Sequence, residues 1–366
     1  MYFVYFVRFV DSPLMPSAPL ISIIVVTYNS RAHLAECLDS LCVLSPEPTH
    51  EVLVMDNAST DDGAVIAETL AARHPQVRAF RGDANRGYAG GVNAALVHAQ
   101  GRYIVVLNPD MVVTPNWLTP LMAFLESHPN AGAVNPLVVL QDDETHVNAA
   151  GQNVHVTGLG FNRGLGQPRA RFAGAAPARV SGLQGGAFLI RRALLNQMGG
   201  WDESGFMYHE DVALSWLVQL MGYDLYCVPE SVVSHAYHLS LYPEKLFLLE
   251  RNRWAMLVTH LEPLTLWWLT PWLLVTEAMM WGYCLLRGSA FLRAKARSYA
   301  WVIEQKNSLV GRRAKVRSLR KRRDREVLKG LAWNYAWNQF ITLGRERGPS
   351  RRQPTGGLPV ELGDPR

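Results

Sequence analysis

The chain has 366 residues, 49% apolar and 18% charged, which suits one large core plus an appendage and argues against disorder. Its four cysteines, Cys37, Cys42, Cys227 and Cys284, form no CxxC pair, so they point to plain buried thiols in a reducing compartment rather than a zinc site or disulfide framework. The net charge of +5 is uneven: Arg287 to Arg325 holds 14 Lys and Arg against Glu304 and Asp324, a local +12 that leaves about −7 elsewhere.

The first ten residues, MYFVYFVRFV, are apolar but too short to span a membrane and lack a basic leader, so residues 1–19 read as an extra strand or a tail. Ile21 to Val26 is a β-branched run ending in Thr27-Tyr28-Asn29-Ser30. Leu34, Cys37, Leu38 and Leu41 follow at helical spacing, completing strand, turn and helix. Glu51 to Asp56 repeats the pattern, with Asn57 to Gly63 as turn and Ala64 to Ala72 as helix. Val77 to Phe80 is a short third strand, Gly91 to Gln100 a helix and Tyr103 to Leu107 a fourth strand. This alternation predicts an α/β fold, a mostly parallel sheet flanked by helices on both faces.

Beyond Thr114 the pattern changes. Trp117 to His128 is an amphipathic helix, Gly132 to Leu140 a strand, and 148–180, rich in Gly, Pro and Arg, reads as a mobile loop. Ala187 to Ile190 is a strand, Ala193 to Met198 a short helix closed by Gly199-Gly200, 211–221 a helix and Tyr226 to Pro229 a strand. From Leu246 onward helices dominate, and 344–366 reads as a disordered polar tail.

Polar residues recur at the carboxyl edge of this sheet, where open α/β sheets bind nucleotides. Thr27, Tyr28 and Asn29 offer hydrogen-bonding and stacking groups for a base. Asp56, Asn57 and Ser59 offer acceptors for a ribose hydroxyl or a base N–H. The Gly-rich turn Asn85 to Asn93 opens a helix, which suits close approach of a phosphate or sugar and makes Asn85, Gly87 and Asn93 candidate donor contacts. No GxGxxG follows the first strand, which argues against a nicotinamide cofactor.

Asn108-Pro109-Asp110 ends the most apolar early strand. A carboxylate delivered there can bind Mg²⁺ or Mn²⁺ beside a diphosphate leaving group, with Asn108 as a neighbouring donor contact. His235 is a further candidate metal or phosphate contact. The stretch from Gly199 to Asp211 is dense in aromatics and carboxylates, with Trp201, Asp202 and Tyr208 as an acceptor platform and Glu210 or Asp211 as general base. Acids at a helix start also cap it, and the two roles are compatible.

Leu264 to Leu286 carries only Glu277 as a charge and holds Trp267, Trp268, Trp272 and Trp281. Tryptophan-rich apolar sequence followed by a basic run reads as membrane contact through 264–325 rather than nucleic-acid binding. A helix over this stretch would be about 35 Å long, just enough to span. A single span, however, would separate the nucleotide site from the basic run, and both belong to the cytosol. An interfacial or re-entrant helix kinked at Pro271 fits better, and a core helix is the alternative.

In order, VVTYNS, VMDNASTDD, NRGYAGGVNAAL, YIVVLNPD, GGWDE and YHEDVAL resemble family 2 glycosyltransferases of the nucleotide-diphospho-sugar transferase fold, in the rhamnosyltransferase-like branch. The likeness covers about Leu20 to Arg253. It implies inverting transfer from a nucleotide sugar, with Asp110 matching the second acid of the metal motif and Asp211 the acid usually assigned as base. Asp56 matches the base or ribose contact, and His235 a His often found near the metal.

Two departures bear on the chemistry. Asn108 stands where many relatives carry the first Asp of the metal motif, and Ala213 and Leu217 replace acidic and basic residues. The expected organisation is a glycosyltransferase domain over 20–255 and a helical, membrane-associated basic region over 256–343. The expected activity is transfer of a sugar such as rhamnose to a lipid-linked glycan or cell-envelope polysaccharide at the cytoplasmic face of the membrane, compatible with a homo-oligomer. A membrane-attached nucleotide-sugar-binding scaffold is the alternative.

Overall fold

The computed structural model describes residues 19–45, 48–237 and 240–340; the expected N-terminal strand or tail, save its last residue, and the polar tail at 344–366 lie outside them. Strands β1 (Ile21–Thr27), β2 (His50–Asp56), β3 (Val77–Arg81) and β4 (Tyr103–Leu107) run parallel in the spatial order β3-β2-β1-β4. Every residue of β1 and β4 is buried because helices cover both faces. Ile21, Ile23 and Val25 join one core with Leu34 and Leu38 of α1 (Arg31–Cys42) and Ala67 of α2 (Gly63–Ala71). Ile24 and Val26 point the other way and meet Val92 and Ala95 of α3 (Gly87–Leu96), as the two-residue side-chain period of a strand requires.

The chain continues through β5 (Met111–Val113), α4 (Leu118–Ser127), β6 (Ala131–Leu140), β7 (Val147–Ala149), β8 (Gln152–Val154), β9 (Gly160–Asn162), β10 (Ala178–Val180), β11 (Ala187–Arg191), α5 (Arg192–Met198), α6 (Glu210–Leu220) and β12 (Asp224–His235). β11 joins β4 and β6 antiparallel, β12 runs parallel to β6, and β10 closes that edge, giving a mixed sheet with a parallel half. β5 folds back onto the end of β12.

The segment 148–180, expected as a mobile loop, instead carries short strands and a 3-10 turn at Arg169–Arg171. Its glycines mark tight turns, as at Gly151 with φ 79°, and its few apolar residues are anchors. Val154 and Val156 pack with Val212, Trp216 and Met256. Each strand is three residues long, too short to announce itself by alternation.

There follow the helices α7 (Pro243–His260), α8 (Pro263–Arg287), α9 (Ser289–Glu304), α10 (Lys306–Leu319) and α11 (Asp324–Leu328). Glu277, the lone charge of the apolar stretch, faces inward, where it and Glu250 share Arg253 and Lys295 in a buried ion cluster joining α7, α8 and α9. α8 buries Leu269, Leu273, Thr276, Met280 and Cys284, and its opposite side exposes Leu264, Trp267, Trp268, Leu274, Val275, Leu285 and Leu286. Among the described residues no helix is long and apolar enough to cross a membrane. The basic run is partly spent on ion pairs: Arg297 with Glu244, Arg312 with Asp202, Arg313 with Glu262, Arg320 with Asp324 and Arg322 with Asp224.

Candidate active site

β1 and β2 end level, with Thr27 in register with Asp56. Thr27 Oγ1 and Asp56 Oδ1 are both buried without a hydrogen-bond partner, while Asp56 Oδ2 accepts from Ser59 N at 3.1 Å. Buried polar atoms of this kind mark where a ligand can complete the bonding. Tyr28 is half-buried beside them. Asn29, at φ 50°, accepts from Thr60 N at 2.8 Å, and its own N–H donates to Ser59 Oγ at 3.0 Å.

Four of the expected donor contacts, Asn57, Asn85, Gly87 and Asn93, tie loops together. Asn57 donates to Asn85 Oδ1 and to Gly87 O, each at 2.9 Å, and accepts from Arg86 N at 3.0 Å. Asn93 accepts from Trp201 N at 2.8 Å and donates to Trp201 O at 2.9 Å and Glu203 Oε1 at 2.6 Å. Gly87 is left-handed at φ 73°, and a Cβ there would lie 2.0 Å from Phe206 O, so only glycine lets this turn touch the loop before α6.

The fold-back of β5 pairs Met111 with His235 and so carries Asp110 beside the imidazole. Asp110 Oδ2 lies 3.4 Å from His235 Nε2, and His235 Nδ1 lies 2.9 Å from Asn148 Oδ1. Burial opposes ionisation of Asp110, yet the hydrogen bond and charge of His235 outweigh it and hold the carboxyl below its ordinary range. Asp110 Oδ1 is buried and unpartnered, as an oxygen awaiting a cation would be. Among the described residues no group of three or more His, Cys, Asp and Glu side chains could hold a metal ion. Asp110 and His235 therefore fit a divalent cation only where substrate phosphates and water complete the shell, the usual arrangement for Mg²⁺.

The approach to α6 is strained, with Phe206, Tyr208 and His209 at φ 63°, 66° and 70°. Asn252 of α7 restrains it by facing the carbonyls of Gly205, Met207 and Tyr208 at 2.9, 3.0 and 2.8 Å, helped by Arg251 on Gly205 O at 3.0 Å. His209 Nε2 meets Gly158 O at 2.7 Å. The loop thereby aims the first turn of α6. Asp211 Oδ2 accepts from Gln152 Nε2 at 2.8 Å and Gly185 N at 3.2 Å, and Oδ1 accepts from Val212 N at 2.8 Å. Burial raises the Asp211 carboxyl despite those donors, and burial plus the Asp211 charge raises Glu210, whose Oε2 has no partner.

Tyr88 links the two acidic sites. Its hydroxyl lies 2.6 Å from Asn108 Oδ1 and 3.3 Å from Gly185 O, and Gly185 N is itself bonded to Asp211. Burial and then the charges of Glu210, Asp110 and Asp211 drive the phenol's pKa well above its ordinary value, so it remains a neutral donor. The phenol thus contacts Asn108 directly and feels the charge of all three carboxylates.

On the other side of Glu210, Trp201 packs its ring on Tyr88 and Phe188 with centroids 5.8 and 5.7 Å apart. Asp202 caps the following turn through Ser204 N at 3.1 Å and pairs with Arg312. Tyr208 meets the Tyr242 hydroxyl at 3.1 Å, beneath the Lys245 ammonium. Trp201, Asp202, Tyr208 and Glu210 line one cavity. Tyr88, Asn148, Gln152, Gly185 and Asn252 are site residues that spacing did not single out. Tyr88 lies in the first turn of α3, inside the Gly-rich motif, and Asn252 in the Glu250-Arg251-Asn252-Arg253 stretch of the family likeness, but the other three lie in segments whose spacing carries no chemical signature.

The chain matches the family model described as Glycosyl transferase family 2 over residues 22–199. The N-acetylglucosaminyl-diphospho-decaprenol L-rhamnosyltransferase of Mycobacterium tuberculosis is 31% identical over 237 residues, 59% of this chain and 76% of that protein. A beta-monoglucosyldiacylglycerol synthase of Nostoc is 26% identical over 256 residues, 68% of this chain but only 51% of the synthase. GalNAc-T7 with UDP, GalNAc and Mn²⁺ has a similar fold, with a TM-score of 0.54 at 18% identity over 67% of this chain and 48% of that one. S. aureus TarS 1-349 with UDP-GlcNAc gives 0.51 at 19% identity over 87% and 92%. Both structures speak to the fold alone, whereas the rhamnosyltransferase likeness extends over most of a whole enzyme. The chain belongs to glycosyl transferase family 2.

Proposed function

We propose that this glycosyltransferase moves a sugar, rhamnose being the first to test, from a nucleotide diphosphate to a hydroxyl of a lipid-linked glycan or cell-envelope polysaccharide, with inversion at the anomeric carbon. The observation that carries the reading is the Tyr88 phenol, whose oxygen lies within hydrogen-bond distance of Asn108 Oδ1 and of Gly185 O, the carbonyl of the residue whose N–H donates to Asp211. Thr27 and Asp56 take the base or ribose on their unfilled oxygens. Asp110 and His235 would hold Mg²⁺ or Mn²⁺, which when bound neutralises the departing diphosphate.

Asp211 accepts the proton of the incoming hydroxyl, and that oxygen attacks from the face opposite the diphosphate. A carboxyl raised by burial is a better proton acceptor near neutral pH than an ordinary one. Gln152 and Gly185 fix its orientation. The names of the relatives support a membrane-linked acceptor, since one acts on a decaprenol diphosphate and another makes a diacylglycerol glycolipid. The exposed apolar stripe of α8 supports peripheral attachment at the cytoplasmic face, with Trp267 and Trp268 at the lipid boundary.

A panel of dTDP-, UDP- and GDP-sugars, read out as nucleotide release from membranes containing the protein, tests the reading. Release with one donor class in the presence of membrane lipid is the expected result. Donor binding without release under any acceptor would instead favour the scaffold.

A further inference from the structure

The Glu210-Asp211 pair follows a loop whose backbone shape is imposed by α7. Phe206, Tyr208 and His209 all take left-handed angles, which residues other than glycine keep only where their surroundings over-determine them. Much of that restraint falls on one amide. Asn252 Nδ2, with two hydrogens to give, lies 2.9, 3.0 and 2.8 Å from the carbonyls of Gly205, Met207 and Tyr208. Glycine at 205 permits the approach, since a Cβ there would stand 3.2 Å from Nδ2. Arg251 fixes which way the amide faces: its Nε donates to Asn252 Oδ1 at 3.3 Å and its Nη2 to Gly205 O at 3.0 Å. The guanidinium in turn lies over the rings of Phe247 and Trp301, 5.0 and 4.7 Å from their centroids. Both Arg251 and Asn252 are buried, and Trp301 belongs to α9. The helices after β12 thus reach the loop before α6 through two consecutive side chains.

We infer that Asn252 is a positioning residue for the reaction: it holds 205–208 in the shape that sets the first turn of α6, and so places the Asp211 carboxylate, acting through the loop rather than on substrate. This rests on the transferase reading with Asp211 as its base. Gln152 and Gly185 orient the carboxylate group, whereas the loop orients the helix that carries it. Without the amide the three carbonyls lose their shared donor and the left-handed residues relax toward ordinary angles, turning the start of α6. The donor-side groups Thr27, Asp56 and Asp110 follow other strands and keep their places. The helical region therefore completes the active site, and the base depends on residues beyond the 22–199 stretch of the family match.

Asn252→Ala and Asn252→Asp both remove the donors, and the second keeps the side chain's shape. Nucleotide release from membranes containing the full chain, with donor affinity by calorimetry, is expected to show kcat down about 10²-fold, the loss that follows a misplacement of about 1 Å, and donor affinity within about threefold of wild type. Phe206→Gly, which accepts a left-handed angle without strain, is expected to return at least about tenfold of the lost kcat in the Asn252→Ala background, a recovery that general destabilisation would not give. Amide hydrogen exchange supplies a readout independent of turnover: peptides covering 203–212 are expected to exchange at least about tenfold faster in both variants while those of β4 keep the wild-type rate. A kcat within about threefold of wild type, a loss that Phe206→Gly leaves untouched, or exchange accelerated equally in β4 would overturn the inference. Active variants beside an active wild type sink only the role of Asn252. A wild type that binds no donor sinks the transferase reading and the positioning role with it.

Discussion

Asp211→Asn replaces two acceptor oxygens with one oxygen and an NH₂ group. Oδ2 now takes Gln152 and Gly185, and Oδ1 takes Val212, so either orientation of the amide turns its NH₂ toward an N–H donor. One unsatisfied donor costs about 1–3 kcal/mol, or roughly 2–10 °C in Tm for a domain of this size. Removing the charge beside Glu210 offsets part of that, because Asp211 is one cause of its raised carboxyl. The fold should therefore persist. Turnover should not: loss of a general base removes about 10² to 10⁴ in rate, or about 3–5 kcal/mol of barrier.

The assay is nucleotide release at saturating donor, paired with donor affinity by calorimetry and a thermal melt. Because burial raises the Asp211 carboxyl, wild-type kcat/KM should climb as pH rises through that raised value, and the Asn variant should lose the climb. Turnover within tenfold of wild type, with the same pH profile, would remove Asp211 from the role of base.

Asp110→Asn should raise the Mn²⁺ concentration for half-maximal activation by on the order of tenfold or more, checked independently by Mn²⁺ electron paramagnetic resonance. Gly87→Ala should lower stability by about 1–3 kcal/mol in thermal melts, since its Cβ would meet Phe206 O at 2.0 Å on a backbone held at φ 73°. Burial works against the charge on Glu250, but Arg253 and Lys295 outweigh it and hold the carboxyl down at about 2. A depressed carboxyl contributes stability above its unfolded value near 4.5 that drains as pH falls toward 2, so acid melts should steepen across that window. Glu250→Gln should flatten that dependence while costing about 3–5 kcal/mol at neutral pH, because Arg253 and Lys295 lose a buried partner.

The first half of the fold was readable because a strand buried on both faces must be a β-branched or apolar run, and its helices must repeat at three and four residues. Ile21 to Val26, Glu51 to Asp56 and Tyr103 to Leu107 lie within β1, β2 and β4. The three-residue strands between 147 and 180 carry too few residues for any period to register. α8 was ambiguous for a different reason, since both its sides are apolar and only packing reveals that one is covered by neighbouring helices.

For the candidate site, sequence alone determined the residue chemistry. Carboxylates after buried strands and at a helix start had to lie near a sheet edge, because a charge within either core would go unpaired. Tertiary structure decided which of them meet and which are spent. Asn57, Asn85 and Asn93 look like ligand contacts in one dimension and close loops in three. Tyr88 and Gln152 look ordinary until the fold sets them against Asn108 and Asp211. Hydrogen bonds between residues 20 to 110 positions apart depend on chain crossings that local spacing does not encode, and the burial that raises Glu210 and Asp211 arises only when those segments converge.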